Sequence, residues 1–201
     1  GLLHLTDGGS LINGNNLSGA EAGTGTINQT GGTLRVSDGG KFYLSGYSNA
    51  GAGTYNLNGG TLEIGGSGSL MGRYNNSTSE YAFNLGGGTI KAIDSALVTS
   101  VDMSLTPGTT STIDTNGVGA TFSGNITSPG EHQVDFGGSK LTKTGAGTLT
   151  LVNGIRTLDT FAVEGGTVRQ ESGTTTAVEL MAGTANGNTG AYELTGGTLT
   201  I

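Results

Sequence analysis

The sequence predicts an all-β chain, a single domain over residues 1–201 wound as a parallel β-solenoid (β-helix) of degenerate repeats about 28–31 residues long. Three observations predict it: an excess of glycine, a recurring Gly-Gly-Thr followed by an apolar–x–apolar pair, and near-constant spacing between the copies. The chain has 201 residues with 41 Gly, 2 Pro, no Cys and no Trp. That glycine content is far above the usual share of about 7%. Collagen would need glycine at every third position, which Leu34-Arg35-Val36-Ser37-Asp38 already breaks. A disordered chain would be charged and poor in apolar residues, whereas only 11% of these residues are charged and Leu, Val and Ile pairs recur throughout. A β fold dense in turns is what remains.

The repeat stands as Gly31-Gly32-Thr33-Leu34-Arg35-Val36 and Gly59-Gly60-Thr61-Leu62-Glu63-Ile64, then as Gly87-Gly88-Thr89-Ile90, Gly165-Gly166-Thr167-Val168 and Gly196-Gly197-Thr198-Leu199-Thr200-Ile201. A variant lies at Ala146-Gly147-Thr148-Leu149. The steps from Thr33 to Thr61 and from Thr61 to Thr89 are equal, and the step from Thr167 to Thr198 is slightly longer. Before the glycine pairs stand short alternating segments such as Thr54-Tyr55-Asn56-Leu57 and Ala82-Phe83-Asn84-Leu85, and beyond the threonine's strand comes another apolar position, Phe42 or Leu70. Such runs, bounded by Gly, Asn, Asp and Ser, are strand signatures. The opening Leu3-x-Leu5 and Leu11 align with Leu34-x-Val36 and Phe42. One unit cannot bury its apolar pairs alone, so stacking coils must put Leu34, Leu62 and Ile90 on one inner wall. The glycine pairs suit corners, and threonine suits the first strand residue after them.

The stretch Leu141-Thr142-Lys143-Thr144-Gly145-Ala146-Gly147-Thr148-Leu149, with its close at Val163-Glu164-Gly165-Gly166-Thr167-Val168, resembles the autotransporter-associated β-strand repeat. The remainder is similar to the looser Gly-Gly-Thr repeats of large secreted bacterial β-helix proteins. The resemblance implies a right-handed β-helix, passenger-like and extracellular, displayed at a bacterial cell surface. The segment Asn153 to Thr160 departs from the pattern by lacking its Tyr-x-Gly loop.

Fifteen acidic against eight basic residues give a net charge of −7 with no basic face, which argues against a nucleic-acid partner. No apolar run approaches the ~18–20 residues of a spanning helix, so no membrane insertion by this segment is expected. Without cysteine, disulfides and thiolate metal sites are excluded.

A carbohydrate-active solenoid would need two carboxylates on neighbouring coils, about 5–10 Å apart. Glu63 and Glu193 are the candidates, but the aligned positions carry Arg35, Lys91, Arg169 and Thr200, which reads as a solvated ladder of alternating charge. His4 and His132 have no ligand spacing. Gly65-Gly66-Ser67-Gly68-Ser69-Leu70 has the glycines of a calcium β-roll without its aspartate. No metal and no cofactor are expected. Exposed tyrosine is a contact residue, and Tyr43 is expected to point outward opposite Phe42 and Leu44, with Tyr47 and Tyr74 in loops above the same edge. The terminal strands, with Leu3 and Leu5 at one end and Leu199 and Ile201 at the other, are expected to present the same kind of open edge. They would be continued by neighbouring repeats of a longer chain or by end-to-end stacking of copies into a filament. The expected role is therefore an extracellular structural or adhesive scaffold and not an enzyme, the alternative being a carbohydrate-binding or carbohydrate-active β-helix.

Overall fold

A computed structural model describes residues 1–5, 10–12, 23–37, 39–46, 51–74, 78–129, 138–184 and 187–201. It is an all-β stack of parallel strands, with no helix among the described residues. The first coil contributes β1 (Leu2–Leu5) and β2 (Ser10–Ile12). The next two contribute β3 (Thr24–Val36) with β4 (Lys41–Ser45), and β5 (Ala52–Ile64) with β6 (Leu70–Arg73). Three coils of three short strands follow: β7 (Glu80–Leu85), β8 (Thr89–Ala92) and β9 (Leu97–Thr99); β10 (Met103–Leu105), β11 (Thr110–Asp114) and β12 (Ala120–Phe122); β13 (Ile126–Thr127), β14 (Lys140–Thr144) and β15 (Thr148–Leu151). Last come β16 (Ile155–Val163) with β17 (Gly166–Gln170), β18 (Thr174–Ala182) with β19 (Gly190–Leu194), and β20 (Thr198–Thr200).

These strands make three faces. The first runs from residues 24–29 through 52–57, β7, β10, β13, 155–158 and 174–177 to β20. The second runs from β1 through 33–36, 61–64, β8, β11, β14 and 160–163 to 179–182. The third is made of β2, β4 and β6, then β9, β12, β15, β17 and β19. Every pairing is parallel, as a coil that returns to its own face must be. Leu34, Leu62 and Ile90 do form one inner wall, and the aligned pairs Leu3–Leu34, Leu11–Phe42 and Phe42–Leu70 fall in register. The core is a continuous column mainly of Leu, Ile, Val and Phe, in which Tyr55 lies between Phe42 and Phe83, with ring centroids 5.0 Å away on each side.

The single-register repeat needs correction. Thr33 pairs with Thr61 and Thr61 with Thr89 on the second face, but Thr148 pairs with Thr167 on the third and Thr198 with Thr174 on the first. The Gly-Gly-Thr motif marks a corner, and any of the three corners can use it. Its second glycine takes positive φ at Gly32 (67°), Gly60 (73°), Gly166 (63°) and Gly197 (78°), a conformation that disfavours a side chain. The coil also changes length. Thr89 pairs with Thr112, Thr112 with Thr142 and Thr142 with Ala162, so the turn shortens, lengthens and shortens again. Two consequences follow. The first and last strands do not match, because β1 lies on the second face and β20 on the first. And the departing segment Asn153 to Thr160 turns a corner at Asn153 and Gly154, both with positive φ, straight into the nine-residue β16.

Candidate functional site

The outward columns show what the surface is built from. On the second face Arg35, Glu63 and Lys91 stand one above another, and Asp114 continues the column in place of Arg169 and Thr200, which lie on other faces. Arg35 approaches one Glu63 carboxylate oxygen at 2.5 Å and Lys91 the other at 3.3 Å. Burial would raise the Glu63 carboxyl, but the hydrogen bonds and charges of Arg35 and Lys91 outweigh it and hold the group below the usual carboxylate range. A general acid needs the opposite shift, and both Glu63 oxygens are engaged by the cations above and below it. Glu193 lies on the third face, against Arg169 at 2.9 Å. The two candidate carboxylates therefore do not meet.

Tyr43 does alternate with Phe42 and Leu44, but it is 7% exposed and not a free contact residue. The reason is long-range: Tyr74 lies edge-on to it, ring centroids 4.8 Å apart. Period-two alternation gives the side of the strand and says nothing of what later packs on that side. Tyr47 and His132 lie outside the described residues. Leu3 and Ile201 are 52% and 65% exposed, and Leu199 is half-buried. For Leu5 the register is described, opposite Val36, and not the side chain. The Gly65–Leu70 segment is a corner, closed by the Ser69 hydroxyl donating to the Gly65 and Gly66 carbonyls at 2.6 and 3.0 Å. Among the described residues no three His, Cys, Asp or Glu side chains are grouped as metal ligands.

Sequence reasoning missed the polar groups that point inward. Gln29, at the register shift within β3, and Gln170, at the end of β17, are buried and make the same contacts. Each donates to the carbonyl of the glycine three residues on, Gly32 and Gly173, and to a threonine carbonyl one coil further, Thr61 and Thr198. Each accepts from a tyrosine hydroxyl, Tyr55 and Tyr192. Lys143, wholly buried, donates to the carbonyls of Thr144, Gly145 and Gly165 at 2.8, 2.7 and 2.6 Å. Corner carbonyls have no strand partner, and a buried amide or ammonium satisfies them. The signal was Gln-x-x-Gly, present at Gln29–Gly32 and Gln170–Gly173.

A third buried device ties β13, β14 and β16 together. Asp159 accepts from the Ser139 N–H at 2.7 Å, the Ser139 hydroxyl at 2.9 Å and the Ser128 hydroxyl at 2.6 Å. Asp159→Ala is expected to lower stability by about 2 kcal/mol, since it leaves the buried Ser139 N–H without its acceptor, at about 1–3 kcal/mol, while the Ser128 and Ser139 hydroxyls can still bond each other. Asp159→Asn, which keeps the size and one acceptor oxygen, should recover part of that in a urea titration; full recovery would mean that the side chain acts by packing alone and would contradict the hydrogen-bonded role.

One surface feature is a groove of about 410 Å³ on the first face, where β7 overhangs β10. The six-residue β7 pairs with the three-residue β10 only at Asn84 and Leu85, so residues 80–83 are unpaired on that edge and residues 80–82 run on past the end of β10. Polar groups around the step are fixed. The Arg73 guanidinium lies over the Tyr81 ring, 5.0 Å from its centroid, and its Nε donates to the Ser79 carbonyl at 2.6 Å. The Asp102 N–H donates to the Tyr81 hydroxyl oxygen at 3.1 Å, and the Asn125 N–H to Asp102 Oδ1 at 2.6 Å. No family model matches this chain, and none of the curated proteins or solved structures compared with it matches either.

Proposed function

We propose that the chain is a stretch of extracellular, cell-surface scaffold, a passenger-like rod that acts by shape and adhesion and not by catalysis. Its terminal rungs pair with further strands, either of neighbouring repeats in a longer chain or of a second copy stacked end to end. The observation that supports this reading is the sameness of the columns. Asn28, Asn56 and Asn84 stack with amide-to-amide bonds of 2.7 Å, and Thr33, Thr61, Thr89, Thr112 and Thr142 occupy one column of the second face. Parallel coils with columns of this kind can pair with further coils, so a joint would use the same kind of strand-to-strand contact as is made within the chain. A second reading, recognition of a saccharide, is favoured by the open polar step beside Tyr81.

Sedimentation velocity across a concentration series tests the joint. The chain is expected to grow into end-to-end oligomers, while Leu3→Lys and Leu199→Lys each hold it monomeric with an unchanged β spectrum. A chain that stays monomeric at every concentration, or oligomers that survive both substitutions, would overturn end-to-end assembly.

A further inference from the structure

We propose that the step above β10 is a binding groove for a neutral oligosaccharide, with Glu80, Tyr81, Asn84, Asp102 and Asn125 as its contact residues. The groove arises because the coil contracts at this point: the step from Asn84 to its partner Ser104 is much shorter than the step from Asn56 to Asn84. The wall formed by residues 80–83 is paired with β5 on one edge and unpaired on the edge toward β10, and about 410 Å³ of space opens there, the size of a small-ligand site.

The chemistry of the lining chooses the ligand. Asn84 gives its Nδ2 to Asn56, which leaves its carbonyl oxygen to accept. Asn125 accepts the Ile155 N–H on Oδ1 at 2.7 Å, which leaves its Nδ2 to donate. Tyr81 accepts from Asp102 and keeps its own hydroxyl proton. Asp102 has its second oxygen left over, and the Glu80 carboxylate has no partner among the described residues. Donors and acceptors thus alternate over three successive coils, on side chains that apart from Glu80 are already held by neighbours, and a ligand with hydroxyls that both donate and accept satisfies them. Two carboxylates against one arginine repel phosphate, sulfate and uronate groups. The open edge spans only residues 80–83, short of the usual five to six residues of a paired strand, which disfavours an added peptide strand.

The probe is an array of neutral gluco-, manno-, galacto- and xylo-configured dimers to tetramers, with uronate oligomers and an extended-peptide panel alongside, followed by calorimetry on the best hit. Saturable binding to a neutral oligosaccharide is expected, weakened about tenfold or more by Tyr81→Phe and by Glu80→Gln, and unchanged by Glu171→Gln away from the groove. Asp102→Asn, which keeps the acceptor for the Asn125 N–H, separates lost recognition from lost structure and should weaken binding with unchanged thermal stability. The proposal is overturned by binding that ignores these substitutions, by hits confined to uronates or peptides, by no hit at millimolar concentration, or by binding that a chelator abolishes. Sedimentation reads assembly independently, so failure of either proposal leaves the other standing.

Discussion

Tyr55→Ala is expected to destabilise the first coils by about 4 kcal/mol, whereas Tyr55→Phe should cost only about 1–2 kcal/mol. Tyr55 is completely buried, with Phe42 edge-on at 79° on one side and Phe83 tilted at 41° on the other. Truncation to alanine removes the ring that joins the core of three coils and leaves a cavity. A β-solenoid cannot close it, because the backbone of each coil is pinned by strands above and below. Phenylalanine keeps the packing and loses one bond, from the Tyr55 hydroxyl to Gln29 Oε1, so its cost is that of an unsatisfied buried acceptor. Burial pushes the Tyr55 phenol well above its ordinary value, so it stays neutral and hydrogen-bonded throughout the accessible pH range. Because each coil touches only its neighbours, the loss should be local. Hydrogen exchange should show faster opening of β3, β5 and β7 with β15 and β17 still protected. A uniform loss of protection over all coils, or equal costs for the two variants, would contradict this account.

How much of this was legible in the sequence depends on the range of the interaction. The strands near Thr33, Thr61 and Thr89, their inward Leu34, Leu62 and Ile90 and the Arg35–Glu63–Lys91 column follow from spacing alone, since an unchanging step from coil to coil is a fixed register. From Thr89 onward coil length varies, and spacing no longer identifies the face. That is why Arg169 and Thr200 were aligned with Glu63 and why Asp114, its true continuation, was missed. The groove was hidden for the same reason, because it exists only where a short coil follows a long one. Tyr43 shows a different limit: its side of the strand was readable, but its burial depends on Tyr74, a full coil further along the chain. The inward Gln29, Lys143, Arg156 and Gln170 were invisible to a rule that sends polar residues outward. Arg156 is the extreme case. It is 1% exposed, bonded through one nitrogen to the Val152 and Phe122 carbonyls, with its other two nitrogens unpartnered among the described residues.

Lys143→Met tests whether the inward polar groups hold the corners together. It is expected to cost about 2–4 kcal/mol at neutral pH, because three corner carbonyls lose their donor, although removal of a buried charge offsets part of this. Methionine fills similar space, so packing changes little. The pH dependence identifies the mechanism. Burial pushes the Lys143 ammonium down to about 8 from 10.5, and the Asp114 carboxylate opposes the shift. Between those two values the unfolded chain still holds a proton that the folded chain has released, so the stability of the native protein relative to Lys143→Met should rise with pH across that window and be flat below it. Other titrating groups are common to both proteins and cancel in the comparison. Urea titrations of both at pH 7, 8, 9 and 10 would measure the difference directly. If it stayed constant from pH 7 to 10, the carbonyl cage would be solvating the ammonium as well as water does. If it narrowed, the cage would favour the charged form, and the corner would be a cation site built from backbone oxygens.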